Sequence, residues 1–313
     1  MKLLLLVNSS ASSVTPRSRV VIQKALSADH QVTLAETSRR GHATRLAQGA
    51  AATGVNAVVV LGGDGTVNEA ANGLAGTNCA LATLPGGSTN VFARTVGLPN
   101  DPIEATGLLL DALAQGSIRR VGLGSVNGRY FLFHTGVGYD AAVVAQVERR
   151  YSLKRYAGHP LFVFAAFDTW LRHYDRSKPR FSVHHDARDG GKAVIDDAYL
   201  TIVMNTNPYT YLGNRPLNLA PEATLDRRLA AVTLRTMSFA PTMRIIGSVL
   251  AGSGRALRRS RWVDHRTDLD GLAVHGYGPI PYQVDGDFLG EVTELRFRHE
   301  PDVLDLVLPL AET

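Results

Sequence analysis

Along the first third of the chain, apolar residues come in short unbroken runs, divided by stretches with helical spacing. The runs are Lys2–Val7, Gln31–Ala35, Ala57–Leu61 and Ala80–Leu84. An unbroken β-branched run such as Ala57-Val58-Val59-Val60-Leu61 predicts a strand covered on both faces, as parallel strands are. Between the runs the pattern predicts helices over Pro16–Ala28, Ala43–Thr53, Val67–Leu74 and Asp101–Gln115. Gly54 and Gly76 close two of them, and Asp101 caps the last. Such alternation predicts a parallel sheet with helices on both faces, whose ligands bind at the carboxyl ends of strands.

From Ile118 onward the texture is strand after strand. The segments are Arg119–Val126, Arg129–Thr135, Arg180–His184, Ala193–Met204, Leu229–Arg235, Leu272–His275, Tyr282–Val284 and Glu294–Arg298. Turn signals at Asn127-Gly128, Asp189-Gly190-Gly191 and Asp285-Gly286 separate several of them. This predicts a sandwich or a curled antiparallel sheet. Pro160–Tyr174 interrupts it as a largely apolar, Phe-rich helix with Trp170, read as core. The expected organisation is an α/β nucleotide-binding domain over 1–117 and a β-rich domain over 118–302. The last apolar run, Val303–Leu310, is a candidate extra strand of the first domain, with 303–313 completing it.

The chemistry concentrates where the third run ends. Gly62-Gly63-Asp64-Gly65-Thr66 follows it directly, and a helical stretch from Val67 follows the glycines. Glycines allow a tight turn and close approach of a ligand to the backbone, and a helix N-terminus behind them is an anion site, phosphate being the usual anion. Asp64 in the turn can hold a water, a sugar hydroxyl or a magnesium ion. A Walker A loop is excluded because no Gly-Lys-Ser/Thr follows, and the G-x-G-x-x-G spacing is absent. A second glycine loop, Pro85-Gly86-Gly87-Ser88-Thr89-Asn90, leaves the fourth run, so the two loops are expected to line one crevice.

At 313 residues, with 45% apolar and 19% charged residues, the composition is that of a soluble globular protein with room for two domains. The single cysteine, Cys79, excludes an internal disulfide and fits a reducing compartment. Met1–Val7 is too short for a signal-peptide core and reads as a first buried strand. The net charge of +5 is concentrated in two clusters: Arg149, Arg150, Lys154 and Arg155, then Arg255, Arg258, Arg259, Arg261 and Arg266. The second cluster contains Trp262 and follows the apolar Ile245–Ala251, a combination suited to anionic lipid headgroups. No stacking-aromatic pattern or binding module points to nucleic acid.

Taken together, Leu61–Glu69, Leu84–Arg94, Gly136-Val137-Gly138-Tyr139-Asp140 and Val284-Asp285-Gly286-Asp287 resemble the diacylglycerol kinase catalytic-domain family, in its soluble bacterial lipid-kinase branch. The resemblance implies ATP and magnesium in a cleft between the domains, a lipid substrate, and a cytoplasmic enzyme in peripheral contact with an anionic membrane face. Carried over by position, Asn8, Thr37, Gly62, Gly63, Asp64, Gly65, Thr66, Asn68 and Thr89 would contact ATP, joined by Gly86 and Ser88 of the second loop. Asp64 would act through magnesium or its waters, and Glu69 would cap or brace the loop. The family places a structural magnesium in an acidic D-G-x-L turn of the second domain. Here that turn is Thr224-Leu225-Asp226-Arg227-Arg228-Leu229. Asp226 would supply the carboxylate, and Ala223 and Arg228 only backbone carbonyls. Arg227 stands for the expected glycine and Leu225 for the neighbouring acid, and the family's first loop is reduced to Asn8-Ser9-Ser10-Ala11-Ser12.

Phosphoryl transfer needs positioning and charge neutralisation more than covalent chemistry, and the acceptor hydroxyl needs a group to take its proton. Asp285 is the preferred base, with Asp287 close behind; the competing reading makes Asp-Gly a hairpin turn only. His134 reads as a hydrogen-bonded core histidine, and His184-His185-Asp186 as a hairpin end. Tyr209, Tyr211 and Asn214 form a polar loop that could shape an acceptor pocket. The expected activity is an ATP-dependent lipid kinase acting on diacylglycerol or a related lipid alcohol. A kinase for a soluble acceptor such as NAD, and a non-catalytic nucleotide- or lipid-binding member, stay open as alternatives.

Overall fold

The structure, a computed structural model, describes residues 1–149, 164–186, 192–252 and 257–310. Arg150, Lys154, Arg155, Arg255, the start of the Pro160–Tyr174 helix and the Asp189-Gly190-Gly191 turn lie outside the described residues. The chain divides into two compact units, one of residues 1–123 with 300–313 and one of residues 124–299. The division falls inside the strand Ile118–Val126 rather than before it.

In the first unit, β1 (Lys2–Val7), β2 (Gln31–Glu36), β3 (Ala57–Gly62) and β4 (Ala80–Pro85) lie in the order β2-β1-β3-β4, all parallel. Leu3 pairs with Val32 and Ala57, and Val58 with Leu81. Every residue of β3 and β4 is buried, which is why their runs carry no polar alternation. One face packs Leu5, Val59, Leu61 and Leu84 against Ile22 and Leu26 of α1 (Pro16–Ser27) and Leu109 and Leu113 of α5 (Pro102–Ala114). Toward β1 and β3 lie α2 (His42–Ala52) and α3 (Asp64–Leu74), packed on each other. They touch closely because α2 offers alanines there and α3 offers Gly73, whose Cβ would fall 2.4 Å from the Thr44 carbonyl oxygen. The final strand, β16 (Asp287–Val307), returns to this unit, where Leu306 pairs in parallel with Leu81. Cys79 is buried, and burial raises its thiol to about 11.

The second unit is built on an antiparallel sheet. β7 (His134–Gly138) pairs with β10 (Leu200–Met204), β10 with β13 (Leu229–Leu234), and β13 with β14 (Val263–Leu269). β15 (Gly271–Val284) is one long strand where the sequence pattern predicts two. Its start pairs with β8 (Phe181–Asp186), its end with β7, and β16 runs along it. The register shift between His275 and Ile280 falls at Gly276-Tyr277-Gly278-Pro279, residues that interrupt a ladder and bend the strand. β9 (Lys192–Ala198) closes a hairpin with β8. Two helices the pattern does not announce are α6 (Tyr139–Arg149), entered from Gly138 at φ 77°, and α7 (Phe239–Leu250). The predicted helix appears as the helical segment 164–173, and its Phe-rich face is largely exposed rather than core.

Candidate functional site

The helix after β3 begins inside the glycine motif: Gly63 is its N-cap and Asp64 its first residue, three residues before the pattern predicts. That places the Asp64 carboxylate at the positive end of α3. Its oxygens accept the backbone N–H of Val91 and of Phe92, each at 3.0 Å, and so cap α4 (Val91–Thr95), a five-residue helix invisible to periodicity. One carboxylate therefore ties the first glycine loop to the end of the second. Asn90, left-handed at φ 51°, locks the second loop. Its amide oxygen accepts from the N–H of Gly86 (3.2 Å) and Gly87 (2.7 Å), and its amide nitrogen donates to the Gly87 carbonyl.

The glycines have a reason beyond any ligand. Gly86 N–H donates to the Gly62 carbonyl at 2.9 Å. A Cβ on Gly86 would lie 2.8 Å from the Gly62 Cα, and one on Gly87 would lie 2.9 Å from the Gly63 Cα. The two loops pack backbone on backbone, and any side chain there would part them. Asn8 joins the assembly through its amide, which donates to the Thr66 hydroxyl at 2.9 Å, while Ser13 donates from N–H and hydroxyl to the Gly86 and Gly87 carbonyls. Glu69 braces from the side: its carboxylate accepts from Gly41 N–H (2.7 Å) and Ala43 N–H (3.1 Å), capping α2, whose own N-cap is a glycine. Asn68 is buried and accepts from Asn72. Thr37 sits at the end of β2, its N–H on the Val7 carbonyl. Ser88 is exposed and Thr89 half-buried. The sequence-predicted residues of this unit thus collect at the carboxyl ends of β1 to β4, and Gly63, Gly65, Ser88 and Thr89 offer donors suited to nucleotide phosphates.

In the second unit Asp285 and Gly286, at φ 48° and 82°, form the turn joining β15 to β16, as a type I′ hairpin requires. The Asp285 side chain does not project from that turn. It is 3% exposed, and its oxygens accept the N–H groups of Leu132 (2.7 Å), Phe133 (3.0 Å) and His134 (3.1 Å). A carboxylate held this way braces the loop before β7, and the three N–H groups occupy the oxygens that a base would use. Asp287, two residues on, is half-buried at the start of β16.

Behind the turn lies a polar cluster of Gln283, Asp140 and Tyr209, of which the sequence pattern assigns only Tyr209 a role, in a loop shaping an acceptor pocket. Gln283, fully buried, accepts from Gly286 N–H at 2.8 Å and donates to Asp140 at 2.8 Å, and the Tyr209 hydroxyl donates to the same Asp140. Gly136 makes room: a Cβ there would lie 1.6 Å from an Asp140 oxygen. The signal was the G-V-G-Y-D motif, whose first glycine and last acid meet in space. Burial raises the pKa of Asp140, the Tyr209 and Gln283 hydrogen bonds opposing it, and burial raises Tyr209 well above the ordinary phenol. His134, its ring 4.6 Å from that of Tyr209, is lowered by burial to about 3 and is neutral.

The predicted metal turn has other chemistry. Asp226 lies in a concavity of about 490 Å³ with Arg227, Arg228, Asp268 and His299. Arg227 forms a two-pronged pair with Asp268, Arg228 pairs with Asp270 at 3.0 Å, and the Ala223 carbonyl accepts from Asn207 N–H. With Asp268 held by Arg227 and the Ala223 carbonyl already accepting a hydrogen bond, these residues do not assemble a divalent-cation site. No group of three or more His, Cys, Asp or Glu poised for a metal occurs among the described residues. His184 and His185 lie on the β8–β9 hairpin as expected, though His185 is buried.

Two interlocked glycine loops sit at neighbouring strand ends of a parallel α/β domain, each leading into a helix N-terminus, an arrangement suited to phosphate groups. A family model, "Diacylglycerol kinase catalytic domain", matches residues 2–126. A "Probable lipid kinase YegS-like" of Pseudomonas aeruginosa is 30% identical over 312 residues, covering 98% of this chain and 94% of the relative. The diacylglycerol kinase of Bacillus subtilis is 37% identical over 120 residues, 38% of this chain, so that the match spans only 39% of that relative's length. A crystal structure of a diacylglycerol kinase from Bacillus anthracis shares the fold, with a TM-score of 0.69 at 20% identity over 100% of this chain and 98% of that one. The chain belongs to the diacylglycerol kinase catalytic-domain family, in its lipid-kinase branch, and by that membership is a phosphotransferase. No helix among the described residues is long and apolar enough to cross a membrane.

Proposed function

We propose that the chain transfers the γ-phosphate of ATP to the hydroxyl of diacylglycerol or a related lipid alcohol. The observation that carries this reading is the Asp64 carboxylate, which joins the G-G-D-G-T loop to the P-G-G-S-T-N segment through Val91 and Phe92. The names of the relatives supply the lipid class. The backbone donors of Gly63 and Gly65, with the Ser88 and Thr89 hydroxyls, would hold the nucleotide phosphates, and their rigid loop–loop contact means little reorganisation is needed when charge develops. Magnesium, held through Asp64 or its waters, would supply charge neutralisation at the phosphates. Asp287 is the proton acceptor for the lipid hydroxyl, because Asp285 spends its oxygens on three backbone donors.

The test is transfer of labelled γ-phosphate from ATP to a panel of diacylglycerol, monoacylglycerol, sphingosine, ceramide and phosphatidylglycerol in mixed micelles, with NAD as a soluble control. A labelled lipid, lost on omitting magnesium and in Asp64→Ala, is the expected result. Label on NAD alone would replace the lipid reading with a soluble acceptor. Nucleotide binding without label on any acceptor would favour a binding protein.

A further inference from the structure

The backbone around Asp287 is held from both sides by side chains. Val284 pairs with Asp287 to close the turn, so the Phe288 N–H one residue further points away from β15. Glu148 of α6 accepts it at 3.0 Å. On the other side Gln283 accepts from the Gly286 N–H at 2.8 Å. The two anchored N–H groups belong to the residues immediately before and after Asp287. Strand pairing alone fixes this stretch poorly. Gln283 pairs with Phe288 but Tyr282 with Gly290, so Leu289 is an extra residue in β16, followed by Gly290 at φ 104°. A bulge of this kind leaves a residue unpaired and raises the local twist. Asp287 therefore lies between a glycine turn and a bulge.

Both anchors lead back to α6. The Gln283 amide nitrogen donates to Asp140 at 2.8 Å, which decides that its oxygen faces Gly286. Asp140 is the second residue of α6 and Glu148 the tenth, about 12 Å apart along the axis. The helix itself is fixed: Ala141, Val144 and Val147 are buried, and the Tyr139 hydroxyl donates to the Ala166 carbonyl at 2.6 Å. One helix thus holds the peptide on each side of Asp287. An aspartate has few side-chain torsions, so its carboxylate follows its backbone closely. A group that takes a proton must stand within hydrogen-bond reach of the hydroxyl, and its support must be locked to about 0.5 Å.

We propose that Glu148 is a positioning residue for phosphoryl transfer, aiming the Asp287 carboxylate by holding the Phe288 N–H opposite the Gln283 anchor on Gly286. The proposal rests on the reading of Asp287 as proton acceptor. Two substitutions separate a hydrogen-bond role from a charge role. Glu148→Gln keeps the reach and an acceptor oxygen but loses the charge. Glu148→Asp keeps the charge but loses a methylene of reach. Positioning ranks the glutamine variant above the aspartate variant, and a charge role ranks them the other way.

The experiment measures transfer of labelled γ-phosphate from ATP to diacylglycerol in mixed micelles by the full chain, with a melting temperature for every variant. Glu148→Ala and Glu148→Asp should lose kcat by about tenfold or more, with KM for ATP and for lipid within about twofold of wild type. Glu148→Gln should keep most of its turnover. In an Asp287→Asn background, Glu148→Ala should have no further effect, because it acts through Asp287. Amide hydrogen exchange at Phe288 should quicken in the alanine and aspartate variants and stay slow in Glu148→Gln, a readout that needs no acceptor. Were Glu148→Ala to melt lower, the order of the glutamine and aspartate variants still decides. Wild-type kcat in Glu148→Ala, full turnover in Glu148→Asp with loss in Glu148→Gln, additive losses in the double variant, or unchanged exchange at Phe288 would overturn the proposal. Lost turnover in Asp287→Asn beside a normal Glu148→Ala would remove Glu148 and keep the proton acceptor. Wild-type turnover in Asp287→Asn would remove both.

Discussion

Asp64 and Asp285 both sit beside glycine in a sequence motif, and both spend their carboxylates on backbone N–H groups of a distant segment. Asp64 caps Val91 and Phe92, and Asp285 holds Leu132, Phe133 and His134. Their surroundings differ. Asp64 is half-buried at the mouth of two glycine loops, on strand ends where ligands of parallel sheets bind. Asp285 is sealed, with Gln283, Asp140 and Tyr209 packed behind its turn. A motif acid is thus assigned to chemistry or to bracing by how many donors it already serves and by whether anything else can reach it.

The largest effect should come from Asp64→Ala, which removes both the acid and the link between the loops. Turnover should fall by roughly 10³-fold, while far-ultraviolet circular dichroism stays native because β3 and β4 are buried on their own account. Retained turnover would make Asp64 a brace like Asp285. Asp285→Asn should act on stability instead. Its amide turns an N–H₂ toward the Leu132 N–H, which then lacks an acceptor while Phe133 and His134 keep theirs, a loss of about 2 kcal/mol, read as a lower denaturant midpoint. An unchanged midpoint would show the Leu132 hydrogen bond to be dispensable.

His134 offers a smaller test of the packing behind that turn. Its folded pKa of about 3 lies below the ordinary 6.5, so the folded state binds fewer protons than the unfolded one between those values. Its contribution is complete above pH 6.5 and is lost as pH falls toward 3, by up to about 2 kcal/mol at pH 5. Asp140, raised by burial, works in the opposite direction, since it favours the folded state as it takes a proton. The pH 5 midpoint should therefore rise relative to the pH 7 midpoint on going from wild type to His134→Gln, where only the opposing Asp140 contribution survives. The smallest effect concerns metal. With Arg227 and Arg228 paired to Asp268 and Asp270, EDTA should leave the melting temperature of the nucleotide-free protein unchanged. A drop restored by magnesium would reinstate a cation at Asp226.

The first unit was legible in the sequence because its strands are buried on both faces, so each apolar run marked a strand almost to the residue. The start of α3 was hidden because Gly-Asp-Gly-Thr has the composition of a loop, and a first helical turn tolerates such residues. α4 has five residues and cannot show a period. In the second unit, the Gly-Tyr-Gly-Pro bend made one strand look like two, and α6 follows Gly138 without a capping side chain. That the two glycine loops meet at neighbouring strand ends was legible from their places directly after the apolar runs of β3 and β4. The bracing role of Asp285 was not, since its three donors lie 151 to 153 residues away. The partners of Asp64, 27 and 28 residues on, were hidden in the same way.

The most direct measurement is the kinetics and melting of Asp287→Asn beside those of Asp285→Asn, with ATP and the best lipid acceptor. If Asp287 takes the proton and Asp285 braces, Asp287→Asn should lose kcat by about 10²-fold or more at an unchanged melting temperature, whereas Asp285→Asn should melt lower and keep most of its turnover per folded molecule. The reverse pattern, with turnover lost in a stable Asp285→Asn and kept in Asp287→Asn, would contradict the assignment.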